Sequence, residues 1–148
     1  MKIYVDADAC PVKEIIIEIA IPNNIPVYLV KSYAHFSTQD DPDGVTSIYV
    51  DSEREAADYR ILSMLRPNDL VITQDYGLAS LALEKNAYVL HHKGFIYTQE
   101  NIDYLLEVRY QNAQARKKKM KTKGPKPLTQ EDKNQFRQAF IDILTNFQ

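Results

Sequence analysis

The sequence predicts an α/β fold: a three-layer α/β/α domain on a mainly parallel sheet of about five strands, with extra helices at the C-terminal end. Three observations carry this. Short apolar runs alternate with stretches of helical length from residue 2 to residue 92, the pattern of a parallel sheet covered on both faces. Turn chemistry separates them, most clearly in the DDPDG of residues 40–44. The 148 residues, 45% hydrophobic and 26% charged, fit one domain that can bury a real core.

Taken in order, residues 2–6 (KIYVD) read as the first strand. Residues 11–20 (PVKEIIIEIA) have helical length, with Pro11 suited to a first turn. A second strand spans residues 25–31, and a polar loop spans 32–44. Residues 45–50 (VTSIYV), rich in β-branched side chains, form a third strand. Residues 53–65 place Ala57, Ile61 and Met64 or Leu65 on one helical face. Leu70 to Thr73 form a fourth strand, residues 76–85 a helix and residues 87–92 a fifth strand. Beyond Gly94 a long helix is expected over 98–115, then a basic segment broken by Gly124-Pro125. Thr129 opens a last helix with Phe136, Phe140, Ile141 and Leu144 as its apolar stripe. The organisation is therefore a body over 1–115, a basic linker over 116–128, and a final helix over 129–148 that packs on the body or on a partner.

No apolar run reaches the roughly 18 residues of a membrane span. Charge arrives in MKIYVDAD before any apolar leader core, so no signal peptide is expected. Cys10 is the sole cysteine, which excludes an intrachain disulfide and a cysteine zinc cage and suits a reducing cytoplasm. Net charge is −2 but uneven. Residues 116–126 hold seven Lys or Arg and no acid, leaving eleven basic against twenty acidic residues elsewhere, or −9. Such a segment suits a polyanion such as RNA, through phosphate contacts from Arg116, Lys117, Lys118 and Lys119 that carry no base-reading pattern; a solvated tail is the plainer reading. Nothing argues against a homo-oligomer.

The chemistry concentrates in acids. In open parallel sheets, ligands bind beyond the carboxyl ends of the strands where the strand order reverses. In the order 3-2-1-4-5, Asp6 ends strand one beside Asp75, which follows strand four. Glu55 and Asp58, three apart, share a helical face that can lie over the same crevice. Carboxylates about 4 Å apart repel by about 4 kcal/mol per pair at an effective dielectric near 20. A hard divalent cation, Mg²⁺ or Mn²⁺, would neutralise them and could activate water against a phosphodiester. Plainer roles compete: Asp8 capping the helix near Pro11, Asp75 capping the helix from Tyr76, Glu55 and Asp58 simply solvated. Asp6 resists such a reading, because a charge ending a central strand needs a reason. Cys10 reads as packed rather than reactive, and Lys13 as solvated or phosphate-reaching. His91 and His92 lie near the crevice edge without zinc-ligand spacing.

The stretches YVDADACPV, EAADYRI, DLVITQDYGLASLALEKNAYVL and TKGPKPL resemble the YaiI/YqxD family of small bacterial proteins over essentially the whole chain. That family's pattern is similar to PIN-like domains, the metal-dependent ribonuclease superfamily. The resemblance implies metal ligation and catalysis by Asp6, Asp58 and Asp75, with Thr73 and Gln74 in the T-x-D motif. Glu55 stands where an aspartate is usual, and Asp8 belongs to the family's own motif as a supporting ligand. The expected function is an Mg²⁺- or Mn²⁺-dependent nuclease on RNA or single-stranded nucleic acid, with Lys13, Thr73 and Gln74 among its substrate contacts. Two alternatives stand beside it: a haloacid-dehalogenase-like phosphatase with Asp6 as nucleophile and Asp8 as its acid/base partner, and a non-catalytic RNA-binding protein.

Overall fold

Ile3, Tyr4 and Val5 are all buried, although consecutive strand residues point to opposite faces. That demands cover on both sides, and the computed structural model of the chain supplies it. It describes residues 1–53, 55–117 and 127–146, with the backbone alone at 116 and 117. The elements run β1 (Ile3–Asp6), α1 (Lys13–Ala20), β2 (Val27–Ser32), β3 (Val45–Val50), α2 (Ala56–Met64), β4 (Leu70–Ile72), α3 (Tyr76–Glu84), β5 (Tyr88–Leu90), α4 (Gln99–Lys117) and α5 (Gln130–Asn146). All five strands are parallel, in the order β3-β2-β1-β4-β5. Fold class and strand order are those expected.

The layers follow from the pleat. Ile3, Val5, Val27, Leu29, Leu70 and Ile72 face α1 and α5. Tyr4, Val30, Val71 and Val89 face α2, α3 and α4. The first helix begins at Lys13, not Pro11, and a 3-10 turn over Ile21–Asn23 extends it. The helix after β3 is shorter than expected, Ala56–Met64 against 53–65, and β5 is Tyr88–Leu90 against 87–92. Both late helices open on reciprocal caps. Asn101 N–H donates to Thr98 Oγ1 (3.2 Å) and Thr98 N–H to Asn101 Oδ1 (2.9 Å). Asp132 N–H donates to Thr129 Oγ1 (3.0 Å) and Thr129 N–H to Asp132 Oδ2 (3.1 Å).

Helix α5 is part of the body's core. Phe136 and Phe140 are fully buried, with ring centroids 5.7 Å apart, and Ile143 and Leu144 join them. Ile141, expected in this stripe, is instead 39% exposed. Spacings of four, seven and eight from Phe136 lie on one face, whereas a spacing of five turns away. Gly94 locks the turn after β5 against this helix. Its φ is +90°, and a Cβ there would stand 2.6 Å from the Gln135 backbone. Among the described residues no helix is long and apolar enough to cross a membrane. The expected phosphate contacts Lys118 and Lys119, and most of the expected linker, lie outside the described residues, as do the side chains of Arg116 and Lys117.

Phe140→Ala should cost about 3–5 kcal/mol, the usual range for emptying a buried aromatic site. Urea unfolding followed by circular dichroism should show a single transition at a lower midpoint, with α5 melting together with the body.

Candidate functional site

β1 and β4 are neighbours at the point where the chain reverses its direction across the sheet. Asp6, the last residue of β1, therefore faces the residues that follow β4. Thr73 joins the two ends. Its hydroxyl donates to Asp6 Oδ2 (3.1 Å) and accepts from the Asp75 N–H (2.9 Å). Thr73 is completely buried, so this hydroxyl positions two aspartates and does not reach solvent as a substrate contact would. Gln74, also expected to touch substrate, is exposed beside it; Lys13 stands part-buried in the first turn of α1, off the walls of the crevice.

The crevice has a volume of about 280 Å³ and is lined by Asp6, Asp8, Asp51, Glu53, Asp58 and Asp75 together with Ser32. Four of the five acids singled out in the sequence meet here. Glu55 does not. It sits at the N-cap position of α2, accepts from the Tyr59 hydroxyl (3.1 Å), and lines the adjoining hollow with Arg109. Asp58 and Asp75 line both spaces and form the ridge between them. Asp51 and Glu53 escaped the sequence reading. Asp51 follows β3 much as Asp6 ends β1, so the same strand-end rule marks it.

Two competing readings resolve differently. Asp75 does cap α3: its Oδ1 accepts from Gly77 N–H (2.8 Å) and Leu78 N–H (3.3 Å), and Arg109 Nη1 lies 3.5 Å away. Its other oxygen has no partner among the described residues, so the cap leaves Oδ2 available. Asp8 does not cap α1, whose N-cap position is Val12 with no side-chain bond. Its Oδ1 instead accepts from the Ser32 N–H at the end of β2 (2.9 Å) and lies 2.9 Å from His35 Nδ1. That commitment leaves Asp8 poorly placed to exchange a proton with a phosphate ester, as the phosphatase alternative asks.

The electrostatics are those of an uncompensated acidic pocket. Burial, then the charges of Asp75 and Asp8, push the Asp6 carboxyl above its ordinary range, against the Thr73 hydrogen bond, which lowers it. Asp58 is pushed up to about 6 by burial and by Asp75, Asp6 and Glu55, with Arg109 opposing. Among the described residues no three Asp, Glu, His or Cys side chains close as a ready-made metal cage. The donors are hard oxygens, and Mg²⁺ commonly takes only one or two carboxylates and keeps water for the rest of its shell, so the acids present fit such an ion.

His91 and His92 are core groups, not crevice contacts. His91 stacks on Phe95 at 4.3 Å and its Nδ1 accepts from Lys93 N–H. Burial holds both imidazoles down at about 4. Cys10 is buried, and burial pushes its thiol up to about 11, in keeping with a packed side chain.

Asp58→Asn tests the repulsion. The folded value of about 6 lies above the unfolded 3.8, so stability falls as pH rises through that window and stays lower above it. Asp58 is only partly buried, and water screens the effect to about 1 kcal/mol, or about 3 °C in Tm for a chain of this size. Thermal melts in chelator should show the variant more stable than wild type at neutral pH and no different below pH 3.8.

The family described as "Uncharacterized BCR, YaiI/YqxD family" matches residues 4–146. A UPF0178 protein of Bacillus cereus strain AH820 is 59% identical over 144 residues, covering 97% of this chain and 99% of its own length. One from Bacillus thuringiensis subsp. konkukian strain 97-27 is 60% identical over the same coverage, and one from Bacillus mycoides strain KBAB4 is 58% identical. No solved structure matches significantly. With the family's pattern matched from the first strand to the last helix, the chain belongs to the YaiI/YqxD (UPF0178) family.

Proposed function

We propose that the protein is a divalent-metal-dependent phosphodiesterase acting on RNA or single-stranded nucleic acid. The observation that carries this reading is the convergence of Asp6, Asp8, Asp58 and Asp75 on one crevice at the strand-order reversal, with Asp6 and Asp58 held above their ordinary carboxyl range. A crevice built of like charges is suited to a cation. Asp6 and Asp75, tied together through Thr73, would hold Mg²⁺ or Mn²⁺, with Asp58 beside them and Asp8 in a supporting place. Such an ion, when bound, lowers the pKa of coordinated water and offsets charge on a phosphodiester.

The chain's own groups supply the rest. Asp58, on the ridge beside Asp75, can orient a water at its carboxylate. Thr73 fixes the facing directions of Asp6 and the backbone before Asp75. Arg109, half exposed beside Asp75, can pair with a phosphate oxygen on the open side of the ridge. The basic segment from Arg116 would draw the polyanion against the acidity of the body, through contacts that weaken with salt.

The test is cleavage of a labelled single-stranded RNA with Mn²⁺, run beside Mn²⁺ binding by calorimetry. Groups that merely orient a metal ligand are worth about 10–100-fold, so Asp6→Asn should lose about 100-fold or more in cleavage, with Mn²⁺ affinity falling in step. Equal cleavage by wild type and the double variant Asp6→Asn, Asp75→Asn would refute the reading, as would RNA binding without any cleavage products in Mn²⁺, which belongs to the non-catalytic alternative.

A further inference from the structure

Tyr33, Phe36 and Tyr59 are 58%, 60% and 67% exposed, a high exposure for aromatic side chains on one small region. They are not scattered. Tyr33 stacks on Tyr49 (centroids 5.9 Å apart, planes 21° apart) and Phe36 leans on the same ring at 5.0 Å. Lys31, paired with Tyr49 across β2 and β3, holds its ammonium 5.9 Å from the centre of that ring. Tyr33 and Tyr49 face Tyr59 and Arg60 of α2 across a groove with a volume of about 590 Å³, which Phe36 and Lys31 flank without lining it. It runs along β3, an outer strand of the sheet.

This groove joins the acidic crevice. Val50 and Asp51 line both, and Tyr59 lines both the groove and the hollow beside Asp58 and Asp75. Among the described residues Asp51 is the one acid on the groove's wall, and it stands at the shared end. The groove is also anchored to the crevice. Asp8 holds the Ser32 N–H and His35, and so fixes the 3-10 turn over Tyr33–His35 that presents Tyr33. Open ring faces beside cations, continuous with a crevice that repels anions unless a cation is bound, suit one ligand chemistry. That chemistry is a flat, neutral base attached to a phosphate backbone.

We propose that the groove between β3 and α2 is a stacking subsite for unpaired bases, with Tyr33 and Tyr59 as the open faces on its walls, Arg60 as its phosphate contact, and Phe36 and Lys31 flanking it on the Tyr49 ring. A duplex offers no free base faces, so the site selects single strands. The role of the crevice in this arrangement rests on the phosphodiesterase reading; the stacking does not.

The experiment measures anisotropy of a short labelled single-stranded RNA in EDTA, at raised salt to suppress contacts from the basic segment. Tyr33→Ala with Phe36→Ala should weaken binding about tenfold or more, from a stacking worth of about 1–3 kcal/mol per base. Both side chains are mostly exposed and lose only their contacts with Tyr49, so melts should fall by no more than a few degrees and the variant should stay folded. Tyr33→Trp should keep the affinity, and in a chain without Trp its indole emission should be quenched by single strands and not by duplex. Unchanged affinity in the double variant, or an indole indifferent to RNA, would overturn the subsite. So would a fall in sedimentation coefficient with RNA binding intact, which would make the groove a contact between copies. If the stacking results hold but wild type never cleaves with Mn²⁺, the subsite stands and the phosphodiesterase reading fails.

Discussion

The Thr73 hydroxyl, shared between Asp6 on β1 and the backbone of Asp75 after β4, is the contact on which the acidic crevice depends. Two central strands deliver carboxylates to the same end of the sheet, and left alone these would repel. The hydroxyl gives one Asp6 oxygen a donor and sets where α3 begins. Helix geometry supplies a further offset. α2 and α3 both open at this end, with Asp58 in the first turn of one and Asp75 capping the other. The positive ends of two backbone dipoles thus face the cluster and moderate its charge without neutralising it.

Asp8 has a different role from its neighbour two residues away. Asp6 belongs to a strand and faces the crevice floor. Asp8 lies beyond the strand and uses one oxygen to hold the end of β2 and the following turn. Alternating strand geometry explains why the pair diverges so quickly: once β1 ends at Asp6, nothing obliges the next carboxylate to follow its direction. The opening D-x-D therefore puts two carboxylates on the crevice, the second of which also braces the aromatic edge of the sheet.

The sheet and its order are legible because apolar strands alternate with helical stretches, with the polar loop over 32–44 as the one interruption. The ends are less so. Pro11 reads like a helix start, yet the chain turns twice before Lys13. Asp75 reads both as a cap and as a crevice residue from its local surroundings, and it both caps α3 and lines the crevice. Asp8 does not, since its partners lie 24 and more residues away and only the β1–β2 pairing brings them near. Helical spacing with Asp58 puts Glu55 on the crevice, but α2 starts after it, so the spacing rule does not apply. Nothing in the local pattern tells His91 and His92 from crevice residues; their burial is a property of the turn that Gly94 presses against α5.

Helix α5 is synthesised after the other described elements, and it covers the face of the sheet that α1 covers only in part. Until Phe136 and Phe140 leave the ribosome, Ile3, Val5, Leu29 and Ile72 have only α1 as a lid on that side. A nascent chain stalled before residue 136 would present greasy strands to chaperones and proteases instead of a finished domain. The sealing of the first described strand thus waits on the last described helix.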